Sequence, residues 1–319
     1  MPVSITKNKV SEQCIEQMIC KAFPQEKAKN IIELTEGFFN VAFLVSLEKK
    51  DVILKIAPPP DAIIMTHEKD IMRSEVRAMK MIEEQSIVPV PRVLFYDNGR
   101  EICESDYFFM EKLEGSSFSS IADKMTQEEK DEIFFQMGKY TKAINSIDND
   151  IFGYFGQKEK QGSDWYEVFR SMLTDTYSDA KRKNISIPVS EEQILSMLKV
   201  DKEIFEEVKK AKFVHWDIWA GNVFVENKMV TGIIDFERCL WADELMEVGF
   251  RTYGLEKAFF KGYGIEELSD KQLKRAKWYD IYLFLIACLE CDYRMYDNKG
   301  MYEWGSEMLK KSIHEKSRW

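Results

Sequence analysis

Residues 213–236 read FVHWDIWAGNVFVENKMVTGIIDF: an apolar lead-in, a polar loop and a hairpin in succession. The lead-in ends at His215 and Asp217, and Asn222 opens the hairpin. Val223, Phe224 and Val225 form its first strand and Met229 to Ile234 its second. Asn227 and Lys228 turn the chain between them, since Asn tolerates the left-handed backbone of a tight hairpin. With the turn there, Asn222 pairs near Ile233, and Asp235 lies two strand positions beyond, roughly 7 Å along. Side chains that close can converge on one divalent cation. An Asn amide oxygen and an Asp carboxylate are hard oxygen ligands of the kind Mg²⁺ takes, with phosphate oxygens and waters completing the shell. Asp217, five residues before Asn222, then stands beside the metal with a carboxylate able to take a proton. An acid on a loop, then Asn, then Asp after a hairpin is the order phosphoryl transfer uses. The plain alternative is an ordinary hairpin carrying a few polar residues.

HWDIWAGN followed by IIDFE resembles the aminoglycoside phosphotransferase family, whose members share the protein-kinase fold. The family's loop reads His-Gly-Asp, four residues, then Asn. Trp216 takes the Gly place here, while His215 and Asp217 keep their spacing. The resemblance implies an α+β, two-lobed, protein-kinase-like fold: an N-terminal antiparallel five-stranded sheet with helices, and a larger, mainly helical C-terminal lobe. Residues 1–114 are expected to form the nucleotide lobe with its hinge, and residues 115–319 the catalytic and substrate lobe.

Composition agrees with that size. A chain of 319 residues, 45% hydrophobic and 31% charged, can bury a full core in two lobes. A net charge of −10 argues against a general nucleic-acid binder and is compatible with a cationic substrate. No window has the length of a membrane span or the pattern of an export signal, so no membrane partner and a cytoplasmic location are expected. The six cysteines then read as free thiols, including the Cys288/Cys291 pair inside an apolar helical run. With only His67, His215 and His314, a histidine-rich metal site is impossible.

Upstream, residues 10–23 carry the spacing of an amphipathic helix. Ile31–Leu34 and Val41–Leu47 read as strands flanking Thr35-Glu36-Gly37-Phe38-Phe39-Asn40. A turn with a glycine over a sheet lets backbone N–H groups approach phosphates, so Gly37, Phe38 and Asn40 are candidate nucleotide contacts; a plain hairpin turn is the alternative. In the next strand, Asp51–Ala57, Lys55 shares its face with Ile53 and Ala57, which is costly unless an anion receives it. Periodicity predicts a helix from Met65 to Gln85 with Glu75 inside its apolar stripe. Glu75 is the preferred partner for Lys55, and Glu68 competes. In kinases such a pair sets the lysine on the α- and β-phosphates. Val90–Tyr96 and Asp106–Leu113 complete the five strands. The second resembles the kinase hinge, which implies Met110 behind the base and the backbone of Glu111 and Leu113 bonded to it. Gly115 and the serines after it mark the lobe boundary.

Further on, Ile133, Met137, Tyr140, Thr141 and Ile144 give a helical stripe, residues 150–163 read as a long loop, and helices are expected at 164–182 and within 190–210. After Asp235, Asp243 and Glu247 fall near the places where the family supports its catalytic loop. Only eleven residues separate Asp235 from Glu247, too few for the segment on which protein kinases lay out a peptide. Near the end of an apolar helix, Glu290 and Asp292 sit where the dipole disfavours anions, which suggests a cationic ligand; a solvated helix end is the alternative.

The expected activity is transfer of the γ-phosphoryl group of ATP to a small-molecule hydroxyl. Asp217 is the base, Asn222 and Asp235 hold Mg²⁺, Lys55 with Glu75 secures the phosphates, and His215 braces the loop. Met110 suits adenine without excluding guanine, so GTP stays open. An aminoglycoside-type antibiotic is the leading acceptor, with antibiotic resistance as its consequence. Choline, homoserine, sugar or macrolide acceptors, and a non-catalytic nucleotide-binding protein, are the alternatives. A protein kinase is disfavoured by the short segment and by Trp216 where that class has Arg.

Overall fold

Apolar residues alternate along residues 41–56, so one face of the sheet they build is greasy throughout. The structure is a computed structural model and describes residues 8–35, 39–85 and 88–316. Strands β1 (Asn30–Leu34), β2 (Val41–Ser46), β3 (Asp51–Ile56), β4 (Val93–Asp97) and β5 (Tyr107–Glu111) form one antiparallel sheet in the order β1-β2-β3-β5-β4. Val52, Leu54 and Ile56 pack with Tyr107 and Phe109 under helix α1 (Glu12–Ala22), against its Ile15, Met18 and Ile19. The other face, with Phe108 and Met110, meets helix α2 (Ile71–Gln85) and runs into the core of the helical part.

The helix expected from Met65 is shorter than its stripe. Thr66–Glu68 makes a 3-10 turn, Asp70 takes φ 57°, and α2 starts at Ile71. Glu68 holds the break. Its carboxylate accepts from the Met65 amide at 2.8 Å and pairs with Arg294 at 2.8 Å, a partner far along the chain. The strand expected from Val90 begins only at Val93, after Pro89 and Pro91, which cannot donate to a ladder.

The remainder is mainly helical: α3 (Phe118–Ile121), α4 (Gln127–Ile144), α5 (Trp165–Lys183), α6 (Glu191–Val200), α7 (Lys202–Phe205), α8 (Lys257–Tyr263), α9 (Asp270–Arg294) and α10 (Gly300–Glu315). Capping boxes start α4, from Thr126 and Glu129, and α9, from Ser269 and Gln272. Helix α9 is buried on nearly all sides, as its apolar run predicts. Helices α4 and α8 touch backbone to backbone. A Cβ on Gly138 would stand 2.2 Å from the Phe259 carbonyl oxygen, and one on Gly262 would stand 2.0 Å from that of Phe135. None of the six cysteines is in a disulfide, and among the described residues no helix is long and apolar enough to cross a membrane.

Two small sheets carry the polar loop. Strands β6 (Ser116–Ser117), β10 (Val223–Glu226) and β11 (Met229–Ile233) pair in the order β11-β10-β6. Strands β7 (Asp148–Asn149), β8 (Gly153–Tyr154), β9 (Ala211–Val214) and β12 (Leu240–Ala242) pair in the order β7-β9-β12-β8, so part of the loop expected at 150–163 is strand. Gly115, at φ 88°, lies where the five-stranded sheet leads into β6. A Cβ there would stand 2.2 Å from the Val225 carbonyl oxygen. Gly115→Ala is therefore expected to lower stability by roughly 1–3 kcal/mol, read as a lower urea midpoint.

Candidate active site

The hairpin turns where Asn and Lys predict it: Asn227 (φ 50°) and Lys228 (φ 66°) both take the left-handed backbone of a type I′ turn. Val223 pairs with Ile233, and the Ile234 amide donates to the Asn222 carbonyl at 3.0 Å. The residues that open and follow the hairpin are thereby held side by side. A bulge between Phe224 and Val225 is the one irregularity in this ladder.

Asp217 sits on a loop braced from beneath. Glu247 places one carboxylate oxygen 2.8 Å from the His215 amide and the other 3.0 Å from the Trp216 amide, and it accepts from Asn145 Nδ2 at 3.0 Å. This is the supporting role expected for a carboxylate after Asp235. Burial pushes the Glu247 carboxyl up to about 7 despite those donors. The Asp217 amide donates to His215 Nδ1 at 3.2 Å, so His215 Nε2 carries the proton and donates to the Ile234 carbonyl at 3.0 Å. His215 therefore ties the loop to the end of β11. Burial lowers it to about 4, so it stays neutral.

Trp216 has φ 67°, a conformation in which Gly is at ease and a large side chain is not. The indole compensates by packing: it is buried, stacks on Tyr282 at 5.3 Å and meets His67 edge to face at 5.8 Å.

Asn222 Nδ2 donates to the Asp217 carbonyl at 2.9 Å and to Asp217 Oδ2 at 3.2 Å. The amide nitrogen is thus committed to Asp217, and its oxygen is the atom left for a cation. Burial raises the Asp217 carboxyl above the usual range, against the pull of Arg238 and Arg251.

Lys55 extends from β3 to Glu75 of α2 at 2.6 Å and also contacts the carboxylate of Asp235. Burial works against its charge, but Asp235, Glu75 and Glu237 outweigh it and hold the lysine well above its ordinary value. Burial pushes the Glu75 and Glu237 carboxyls upward. The Lys55–Glu75 pairing is the one expected; Glu68 belongs instead to Arg294.

Glu237 escaped the sequence reading. Two residues after Asp235, it accepts from Asn40 Nδ2 at 2.7 Å and so reaches the residue just before β2. Three carboxylates around one lysine leave an excess of negative charge, a donor set that suits a hard cation. Among the described residues no group of three or more His, Cys, Asp or Glu forms a metal cage. Mg²⁺ needs none, because one or two protein oxygens suffice when phosphates supply the rest.

Gly37 and Phe38 lie outside the described residues. Met110 is buried opposite Ile53. The Glu111 amide donates to the Arg92 carbonyl at 3.0 Å, so it is not open to a base, and the side chain pairs with Arg92 at 2.7 Å. Leu113 lies over Gly232 of β11, where a Cβ would come within 2.4 Å of it.

A cleft of about 1080 Å³ opens beside Asp217 and is lined from both the sheet and helices α9 and α10. Glu290 lines it, but its charge is met by Arg238 at 3.0 Å and Arg294 at 3.6 Å. Asp292 pairs with Lys299 at 2.7 Å and does not line the cleft. The two acids expected to greet a cationic ligand are thus occupied by cations of the chain itself.

A model described as the Phosphotransferase enzyme family matches residues 30–266. Among solved structures, the aminoglycoside phosphotransferase APH(4)-Ia is similar with a TM-score of 0.67 at 16% identity, over 95% of this chain and 99% of that one. The streptomycin–ATP ternary complex of APH(2")-IIa gives 0.61 at 15% identity, over 98% and 97%. At those identities the likeness speaks for the kinase-like fold alone. A subtelomeric hrmA-associated cluster protein of Aspergillus fumigatus is 29% identical over 143 residues, 44% of this chain and 27% of that one. The match to that relative thus spans about a quarter of its length.

Proposed function

The chain belongs to the Phosphotransferase enzyme family, and from that premise we propose that it moves the γ-phosphoryl group of ATP to a hydroxyl of a small molecule. One observation carries this reading. The Lys55–Glu75–Asp235 cluster and the Asp217–Asn222 loop are tied together by the His215 bond to Ile234, and Asp217 of that loop lines the cleft.

Asp217 accepts the hydroxyl proton as the acceptor oxygen bonds to the γ-phosphorus and the bridge to the β-phosphate breaks, releasing ADP. A carboxylate whose proton affinity is raised by burial suits that task. Lys55, oriented by Glu75, holds the α- and β-phosphates. Asn222 and Asp235 would hold Mg²⁺, which when bound neutralises charge on the phosphates, and Glu237 adds a carboxylate at the same place. Met110 would stand behind the base, which would bond the Glu111 carbonyl and the Leu113 amide. Asn40 supports the phosphate side through Glu237. The same reading divides the chain at residues 114 and 115.

APH(2")-IIa forms its complex with streptomycin, yet beyond Asp217 the acceptor side of this cleft carries Glu290, which arginines meet, and one exposed acid, Asp297. Glu290 is matched by arginines and Asp292 is turned to Lys299, which favours a metabolic small-molecule kinase over one for polycationic antibiotics. A non-catalytic nucleotide binder is disfavoured because Asp217, Asn222, Asp235 and Lys55 are all present.

The test is ADP release with MgATP across a library of alcohols, with the product identified by mass. Turnover that needs both metal and acceptor is expected. Nucleotide binding without acceptor-dependent turnover would replace this reading with the non-catalytic one.

A further inference from the structure

Five exposed apolar side chains, Trp219, Tyr253, Met295, Met301 and Trp304, line the cleft that holds Asp217. Scattered singly, exposed apolar residues need no explanation; gathered on one concave surface they mark a ligand site. Tyr253 and Trp304 meet edge to face at 5.8 Å, and Phe284 backs them at 5.5 and 5.4 Å. Their rings are therefore held in place. Leu283 and Ile286 of α9 extend the same wall.

Three guanidinium groups reach this cleft, and they are not equivalent. Arg238 is paired with Glu290 at 3.0 Å and Arg294 with Glu68 at 2.8 Å. Arg251 donates to the Trp216 carbonyl at 3.2 Å and bonds the Tyr253 side chain, and among the described residues it makes no ion pair. Asp217, Glu247, Asp280 and Glu290 all feel its charge, yet none pairs with it directly, so this half-buried guanidinium, placed between the loop of Asp217 and an aromatic wall, keeps its donor fork open to an anion. Its planar fork matches a carboxylate with two parallel bonds.

We propose that the acceptor is a hydroxylated carboxylic acid with an aromatic or alicyclic body: its carboxylate on Arg251, its body against Tyr253 and Trp304, and its hydroxyl at Asp217. This rests on the phosphotransferase reading above and names the substrate class for it. The acceptor hydroxyl oxygen bonds to the γ-phosphorus, the bond from that phosphorus to the bridging oxygen breaks, and the proton passes to Asp217. The products are ADP and a phosphate monoester that keeps its carboxylate. An acceptor rich in amines would instead set like charges against Arg251 and amines against an apolar wall.

The full chain is assayed with MgATP and (hydroxymethyl)benzoic and (hydroxymethyl)phenylacetic acids, each beside its primary amide and its aminomethyl counterpart. Initial rates, product mass and the shift of unfolding temperature in the presence of ADP are read. The acids are expected to exceed their amides about 10- to 100-fold in kcat/KM, with the amines below both. Arg251→Met is expected to bring the acid-to-amide ratio near one, and Arg251→Lys to restore part of it. A merely structural role for Arg251 would lower acid and amide together and leave the ratio intact, which overturns the proposal. So does preference for amines or amides, or a panel in which no acid shifts the unfolding temperature. Phosphoryl transfer to amines alone would sink the acid acceptor and leave the phosphotransferase standing. Binding of acids without transfer to any acceptor would overturn the phosphotransferase reading instead.

Discussion

Asp217→Asn is expected to bind nucleotide like the parent protein and to turn over about 10²- to 10⁴-fold more slowly. The substitution keeps the shape of the side chain, so the loop still has its Glu247 bonds at 2.8 and 3.0 Å and its His215 tie to Ile234. What it removes is the group able to take a proton. An amide oxygen at the same place still accepts from Asn222, whose contact to Oδ2 is 3.2 Å, but it does not ionise. The nucleotide side depends on Lys55, Glu75 and Asp235, which the change does not touch. Single-turnover kinetics read the chemical step, and the ATP-induced shift of unfolding temperature reads binding. Parent-like turnover in the variant would remove Asp217 from the role of base.

Glu247→Ala is expected to destabilise the protein by about 3–5 kcal/mol and to abolish turnover with it. The carboxylate serves three buried donors at once: the amides of His215 and Trp216 and the side chain of Asn145. Alanine leaves the two buried amides without an acceptor and Asn145 with only its bond to the Phe213 carbonyl at 2.8 Å. The strained φ of Trp216 makes the site more sensitive, because that backbone is held by its surroundings and not by preference. Glu247→Gln separates charge from shape. It keeps one acceptor oxygen and turns an amide nitrogen toward the other donor, so it should fall between parent and alanine in urea midpoint. A glutamine variant as stable as the parent would show that hydrogen-bond count, and not charge, governs the loop. An alanine variant as stable as the parent would refute the bracing role.

The five strands and the hairpin were legible because period-two apolar alternation and a turn at Asn227-Lys228 leave local marks. Lys55 and Glu75 were legible for a related reason: each is a charge on an apolar face, and each needed the other. The break at Asp70 was not legible, since it depends on Glu68 finding Arg294 near the other end of the chain. The same holds for Glu290. As a helix-end acid it suggested a cationic ligand, whereas its cations are Arg238, 52 positions away, and Arg294 on its own helix. Glu237 had a weaker excuse. It stands two residues from Asp235 in the quoted motif, and its bond to Asn40 joins two segments already suspected of meeting the nucleotide. Arg251 leaves no periodic trace at all; its standing comes only from what surrounds it in the fold.

The glycine contact between α4 and α8 has a bearing on how this scaffold diversifies. Asn145 caps α4, while Glu247 and Arg251 lie on the segment that leads into α8, so the distance between the two backbones sets the height of the loop brace relative to the acceptor wall. Neither Gly138 nor Gly262 can gain even a methyl group without spreading that frame. Tyr253, Met301 and Trp304 carry no such restraint at their exposed tips. Mutational drift that retunes acceptor choice is therefore channelled into the wall's side chains, while the chassis that positions Asp217 is inherited unchanged.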